Sequence, residues 1–414
     1  MSTLPEINSE RLWARLMAMA KVGATAAGGC NRQALTDEDR VGRDLFMQWC
    51  QAAGCDVRLD EIGNIFARRE GSNPELPPVI TGSHLDTQPT GGKFDGIYGV
   101  LAGLEVIESL NDGEIVTEAP IEVVVWTNEE GCRFDTAMMG SAVWSGQMTL
   151  ADAYALTDEA GASVGEELRR IGHLGATPAQ CYPVTAAFEA HIEQGPMLEA
   201  TERTIGIVTG VQHMSRHRID IDGQEAHAGP TPMSMRKDPM MALARFLPQL
   251  YQLAEEHAPD GRMTFGVIHA DPGSNNTVPG HLMLTADIRH PQRQSYDAML
   301  AGFHQCVEQA CSELELPCSI DCFWDAPGVA FDEGCINAVR VGVERFAYSS
   351  REMFSGAGHD AVNVSSVAPT AMIFIPCEGG LSHNEAENAA QEDVAAGCNV
   401  LLHAMIEMAS VCEK

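Results

Sequence analysis

The chain has 414 residues, a formal net charge of −32, and 45% hydrophobic against 20% charged residues. Its length exceeds a comfortable single domain, so two domains are expected, in a composition ordinary for a water-soluble globular protein. The acidity argues against nucleic acid and anionic membrane surfaces as partners, but leaves room for an anionic small molecule held by a local arginine or metal.

The opening stretch, MSTLPEINSERLW, has neither a basic n-region nor an apolar h-region, so no secretory signal is expected. No apolar run reaches the roughly 18 residues that a membrane span needs. The thirteen cysteines are scattered and form no C-x-x-C pair, which suits reduced thiols and a cytoplasmic location. A helix is expected from about Ser9 to Val22, capped by Asn8 or Ser9, and a second from Thr36 or Asp37 to the stop at Gly54. Asp56 to Arg69 reads as two strands joined at Gly63-Asn64. Pro78-Val79-Ile80 ends a short buried strand, and an apolar helix starts near Val100. Between them lies TGSHLDTQPTGGKFDGIYG, with His84, Asp86 and Asp95. A ligand-rich loop between strand and helix is where open α/β sheets keep their sites. His84 can bind a metal through one ring nitrogen while Asp86 orients it.

Ile121 to Thr127 is a central buried strand by its unbroken apolar run, and it leads into Asn128-Glu129-Glu130-Gly131. Two adjacent carboxylates in a loop divide naturally into one metal ligand and one general base. Met148 to Gly172 reads as helical and acidic, without a chemical signature. FEAHIEQGP, with His191 and Gln194, is another strand-to-loop passage. After the junction Gly206 to Gly210, the pattern alternates along His217 to Gly223. A helix at Asp238–Leu253, strands at Met263–Ile268 and Leu282–Ile288, a helix at Tyr296–Leu314 and a strand at Ser319–Trp324 follow. This β-α-β-β-α-β order fits a small ferredoxin-like insert. From about Phe331 helix and strand alternate again. Thr370 to Pro376 is a further central strand, with Ser382-His383-Asn384-Glu385 just beyond.

His84, Asp95, Glu130, His191 and His383 thus fall at or just past four expected strand ends. Two histidine-plus-carboxylate sets sharing an aspartate would hold two divalent ions about 3.5–4 Å apart, as two-metal hydrolases require. Imidazole mixed with carboxylate suits zinc first, with manganese, cobalt or nickel as alternatives. No G-x-S-x-G elbow, Walker loop or G-x-G-x-x-G fingerprint competes.

The ordered blocks GSHLDT, GGKFDG, TNEEGCRF, HIEQGP, HAGPTPM, NTVPG, DIRHP, SGAGHDA and LSHNEAE together resemble the amidase/hydantoinase/carbamoylase group of the dinuclear metal aminoacylase and carboxypeptidase superfamily. The resemblance runs from roughly Asp56 to Glu387. It implies His84, Asp95 (bridging), Glu130, His191 and His383 as ligands of two metal ions per subunit, and Glu129 as general base. Gln194, His227, Asn276, Arg289 and Gly358 would line the substrate pocket. The implied architecture is a doubly wound, mixed-sheet α/β catalytic domain (1–211 and 331–414), interrupted by a ferredoxin-like α+β lid (212–330) through which two subunits form a homodimer. The implied reaction is hydrolysis of the N-carbamoyl group of N-carbamoyl-L-amino acids or N-carbamoyl-β-alanine to amino acid, ammonia and carbon dioxide. Allantoate hydrolysis is the alternative, and N-acyl-amino-acid or peptide hydrolysis comes third. A metal-binding sensor that has lost catalysis is the reading from a different class, and it is disfavoured by the presence of Glu129 and all five ligands.

The roles follow chemically. A ureido carbonyl is a poor electrophile, so it needs polarisation, an activated water and a proton carrier. His227 would donate to the oxyanion. Arg289 would grip a substrate carboxylate through two parallel hydrogen bonds, and Asn276 would add an amide contact. His359 and Asp360 read as supports or as structural residues.

Overall fold

The computed structural model describes residues 5–410. They form two compact units, one built from the chain up to Thr209 together with Ala330 onward, the other from Gly210–Val329.

In the first unit, the helix Ser9–Met19 starts at Asn8, whose side chain accepts the Arg11 N–H. The helix Asp37–Ala52 starts at Thr36, which accepts from Asp39 N–H. The hairpin strands Asp56–Leu59 and Ile65–Arg69 pair antiparallel. Their connection is held by Asp60, which accepts the N–H groups of Ile62 and Asn64 across a left-handed Gly63. The sheet then runs Ile121–Trp126, Val79–His84, Ala186–Ile192, Thr370–Ile375, Ile205–Val211. The first four of these are mutually parallel, with His84 opposite Trp126 and Phe374 opposite His191. All four are fully buried, which is why they read as unbroken apolar runs. The Ile65–Arg69 and Ile205–Val211 strands join antiparallel, so the sheet is mixed. The helix Ile97–Asp112 is buried on nearly every side and the helix Gln391–Ala409 on most of its length.

A fully buried ion pair ties the hairpin to the end of the central strand. Arg43 Nε donates to Asp39 Oδ2 (2.8 Å), its Nη1 to the Gly63 carbonyl (2.8 Å) and its Nη2 to Thr127 Oγ1 (3.2 Å). Neither partner is exposed to solvent. Thr127 immediately precedes Asn128-Glu129-Glu130, so this pair sets where that loop begins.

The second unit has helices Pro239–Glu256 and Arg293–Glu313 and an antiparallel sheet in the order Ile268–Asp271, His281–His290, His213–Asp222, Cys318–Ala326. The strand His281–His290 alternates strictly between half-buried and buried residues. Its inward side chains Leu284 and Ile288 join Ile219, Ile221, Phe246 and Phe303 in one core. The single strand expected over 263–268 is two, Arg262–Thr264 and Ile268–Asp271. They are interrupted at Phe265-Gly266-Val267, where Gly266 has open space beside it. The helical stretch expected from 148 to 172 is likewise two short helices, Leu150–Ala155 and Val164–Ile171, the second opened by a capping box at Ser163. No helix among the described residues is long and apolar enough to cross a membrane, and the described cysteines are free thiols.

Removing one member of a buried ion pair leaves the other charge unpaired in a low-dielectric interior. Asp39→Ala is therefore expected to lower the unfolding free energy by about 3–5 kcal/mol, read as a reduced urea midpoint at unchanged slope. A midpoint within error of the parent would show that Arg43 is held by its carbonyl and hydroxyl partners alone.

Candidate metal centre

The four parallel strands deliver their loops to one edge of the sheet. His84 ends the first of them, buried. Its Nδ1 lies 2.8 Å from the carbonyl oxygen of Asp86. A carbonyl accepts only from N–H, so the ring proton sits on Nδ1 and Nε2 carries a free lone pair. His191 Nδ1 likewise donates to the carbonyl of Ile192 at 2.8 Å, and the Gly96 N–H lies 3.1 Å from its Nε2. Asp95 stands between the two rings. Its Oδ1 is 3.8 Å from His84 Nε2 and 3.1 Å from His191 Nε2. Its Oδ2 is 3.5 Å from His383 Nε2, which in turn is 3.3 Å from Glu130 Oε2. Donor atoms thus group as His84–Asp95–His191 and as Asp95–Glu130–His383, each drawing on a different oxygen of one aspartate. Glu129 belongs to neither group, but its Oε2 is 3.5 Å from His84 Nε2. The structure brings together all five expected ligands and Glu129.

The donor set fits divalent cations. Burial would raise the Asp95 carboxyl, but His191, His84 and His383 outweigh it and hold the group well below the usual range. Burial would lower His191, but Asp95 and Glu189 hold it up at about 9. His383 is pushed up to about 9 by Glu130, against its partial burial and with help from Asp95. Burial, then repulsion from Asp360, Glu130, Asp86 and Asp95, pushes Glu129 well above the carboxylate range. The centre therefore demands positive charge, and the histidine Nε2 atoms that face a shared carboxylate are where divalent ions would supply it in place of protons.

Around these groups lies a shell that the sequence reading assigned only in part. Asp86 orients His84 through its backbone carbonyl, and its carboxylate is 4.0 Å from the ring nitrogen. That carboxylate accepts the N–H groups of Glu129 (3.3 Å) and Glu130 (3.2 Å), so it ties the two loops together while the carbonyl sets the ring. Glu387, not singled out from the sequence, accepts the N–H groups of Phe94 (2.9 Å) and Asp95 (3.1 Å) with one oxygen. A Cβ on Gly92 would fall 2.0 Å from that carboxyl, so only glycine lets it approach. Ser382 Oγ and Gln194 Nε2 each donate to Asp95 Oδ2 at 2.8 Å, and Gln88 Nε2 donates to Glu130 Oε2 at 2.8 Å. Behind His191, Glu189 accepts from Ser83 Oγ (2.7 Å) and Ala361 N–H (2.9 Å). His359 lies edge-on to His191, 4.6 Å between ring centres, and burial keeps it neutral. Asp360, next in sequence, is pushed well up by burial and then by Glu189.

Four non-glycine residues in this region hold left-handed backbone: Asn128 (φ 55°), Met138 (φ 54°), Gln194 (φ 56°) and His383 (φ 53°). Such conformations persist only where surrounding bonds over-determine them. Met138 is an example. Its N–H donates to the Glu129 carbonyl, and its own carbonyl accepts from Ser141 Oγ, Asn363 Nδ2 and Ala142 N–H.

Of the expected pocket residues, Gln194 touches the bridging aspartate. Gly358 adjoins His359, with the Met138 thioether beside the place its Cβ would occupy. His227, Asn276 and Arg289 belong to the second unit. There His227 faces Thr277 in a two-residue ladder, and Ala228 N–H donates to the Asn276 carbonyl. Gly229 N–H donates to His227 Nδ1 (3.1 Å), which places the ring proton on Nε2. Arg289 forms a fork with Asp287, Nε–Oδ1 2.6 Å and Nη2–Oδ2 3.0 Å.

Comparison with known proteins follows the same lines. A profile of peptidase family M20/M25/M40 matches residues 80–407. An N-carbamoyl-L-amino-acid amidohydrolase of Rhizobium meliloti is 46% identical over 407 residues, covering 98% of both chains. An allantoate amidohydrolase of Bacillus subtilis is 32% identical over 397 residues, covering 94% of this chain and 95% of its own. Among solved structures, an amidase of the hydantoinase/carbamoylase family from Burkholderia multivorans superposes with a TM-score of 0.95 at 49% identity, covering 98% of each chain.

Proposed function

This chain belongs to peptidase family M20/M25/M40, and from that premise we propose that it is a metal-dependent amidohydrolase cleaving N-carbamoyl-L-amino acids to amino acid, ammonia and carbon dioxide. The observation that carries the choice of a ureido substrate is Gln194. Its Nε2 must face the Asp95 carboxylate, to which it donates, which leaves its Oε1 a buried acceptor without a protein partner. A ureido –NH2 is a donor that satisfies it, whereas an N-acyl group offers no such hydrogen there. Allantoate carries the same donor. The carbamoylase is favoured over it by the 46% identity to the Rhizobium meliloti enzyme against 32% to the Bacillus subtilis allantoate enzyme.

Two divalent ions, zinc by preference, would be held by His84, His191 and Asp95 on one side and by Asp95, Glu130 and His383 on the other. When bound, they would polarise the ureido oxygen and make a water acidic enough to attack at neutral pH. Glu129 takes the proton of the attacking water and returns it to the leaving nitrogen. A carboxyl pushed up by burial and by neighbouring acids, then drawn down by added positive charge, is suited to both steps. His227, with its proton on Nε2, donates to the oxyanion, a contribution of about 3 to 4 kcal/mol in comparable sites. Asn276 and Gly358 line the substrate. Arg289 binds its carboxylate, with Asp287 as the anion that occupies the guanidinium otherwise. The second unit is read as a ferredoxin-like lid that also dimerises. In support, its edge strand Ile268–Asp271 pairs on one side only among the described residues, and exposed apolar side chains, Met241, Tyr251, Val267 and Ile268, accompany that edge and its helix. An open apolar edge invites a second copy.

Ammonia release from a panel of N-carbamoyl-L-amino acids, N-carbamoyl-β-alanine, allantoate and N-acetyl-amino acids tests the reading, which fails if the N-acetyl compounds are the better substrates. Glu129→Gln is expected to lower kcat roughly 10²- to 10⁴-fold at unchanged metal content. Loss of a metal equivalent there, with both retained in Glu130→Gln, would reverse the two roles. Arg289→Lys keeps the charge but loses the planar fork, and should weaken carboxylate substrates by roughly 1 to 3 kcal/mol. An unchanged KM would place the carboxylate elsewhere. Wild-type protein should sediment as a dimer and a Tyr251→Arg, Ile268→Arg double variant as a monomer, and a variant that still sediments as a dimer removes this edge from the interface.

A further inference from the structure

Arg32 is completely buried, yet no carboxylate is among its hydrogen-bond partners. Its Nε donates to the Leu85 carbonyl at 2.8 Å. Its Nη1 donates to the carbonyls of Val22 (2.6 Å) and Met19 (3.3 Å) and to Cys30 Sγ (3.2 Å). Its Nη2 has no partner. A charge buried without an opposite charge is costly, and an arginine kept at that cost is doing something an apolar residue of its size would not.

What it holds is the loop behind His84. Besides the Leu85 contact, Arg32 N–H donates to Thr87 Oγ1 (2.8 Å), and Thr87 N–H donates back to the Arg32 carbonyl (3.0 Å). Two residues before, Cys30 and Gly91 exchange N–H···O bonds in both directions (2.9 and 3.0 Å). The segment 29–32 is therefore laid along the loop 85–91 like a short extra strand. The packing is close enough to exclude side chains. A Cβ on Gly29 would fall 2.4 Å from the Gly91 oxygen and 2.6 Å from Cα of Glu385, in the loop that carries His383. A Cβ on Gly42 would fall 2.9 Å from Arg32 Cδ. Leu85 and Thr87 flank Asp86, whose carbonyl sets the His84 ring and whose carboxylate sets the Glu129 and Glu130 backbone.

We propose that Arg32 is a positioning residue of the metal centre. Its guanidinium fixes the carbonyl of Leu85 and its backbone fixes Thr87, so that Asp86 is held in the one orientation that serves His84 and the Glu129–Glu130 turn together. The inference rests on the centre binding metal. If wild-type protein binds no divalent ion, that reading fails and not the role of Arg32.

The test is metal binding by the full chain, followed by titration of metal-stripped protein with Co²⁺ and by the visible absorption of the Co²⁺ form, neither of which requires turnover. Arg32→Met removes the charge and the fork but keeps an unbranched apolar chain, and by the same reasoning that makes the native charge costly it should remain folded. Its Co²⁺ affinity is expected to fall roughly 10- to 100-fold, with an altered absorption spectrum, and Arg32→Lys should recover part of both. If Arg32→Met does not fold, Thr87→Val, which removes the oxygen that accepts the Arg32 N–H, should show the same loss and the same spectral change. Wild-type affinity together with a wild-type spectrum in whichever of these variants folds overturns the proposal, whatever its thermal stability.

Discussion

Seven carboxylates, from Asp86, Asp95, Glu129, Glu130, Glu189, Asp360 and Glu387, are gathered within or just behind one edge of a sheet, nearly all of them out of contact with water. Keeping like charges together in a low-dielectric setting is the constraint from which the rest of the first unit follows. Each group must be given hydrogen-bond donors, positive charge or a proton. Asp95 has three imidazoles around it. Asp86, Glu189 and Glu387 are given backbone N–H groups, which are donors that cannot titrate and cannot move without moving a loop. Burial nevertheless leaves Asp86 raised to about 6, Glu387 to about 7 and Glu189 raised, with Glu129 and Asp360 pushed well above the carboxylate range, and Glu129 is the group to which the proposed reaction assigns a proton.

The same donors make the centre rigid. Because the second-layer acids are bonded to main chain, each joins two loops that are remote in sequence: Asp86 joins the 84–88 loop to the 128–131 turn, and Glu387 joins the 382–387 loop to the entrance of the helix at Ile97. Left-handed residues at Asn128, Gln194 and His383 turn these loops toward the shared aspartate. The parallel strands beneath supply a common origin, since four adjacent parallel strands necessarily end at the same edge.

Much of this was legible in the chain. The four apolar runs, and the histidines and acids just past them, announce both the sheet and its site, because burial on both faces erases the alternation that would otherwise obscure a strand's end. Residues whose roles depend on distant backbone were not legible. Glu387 stands in a polar stretch, LSHNEAE, and only Gly92, nearly 300 positions earlier, makes room for it. Arg32 lies in GGCNRQ, which reads as exposed loop, and nothing local says that residues 85–91 will cover it. Asp86 was rightly tied to His84, but the atom that makes the tie was not legible, since spacing alone does not distinguish a carboxylate from a carbonyl. The break at Phe265–Val267 was missed because a glycine inside an apolar stretch is compatible with either an intact strand or an interrupted one.

The strand Thr370–Ile375 lies between Ala186–Ile192 and Ile205–Val211 in the sheet, although the whole of Gly210–Val329 separates it from them in the chain. A ribosome makes those neighbours long before it makes the strand that must lie between them. The sheet of the first unit therefore cannot be completed until the second unit has been made, because its missing strand and, with the loop that follows, His383 come later in the chain. Loading of the centre is in this way placed at the end of biosynthesis, and a chain released early would carry four of the five proposed ligands on a sheet that cannot close around them.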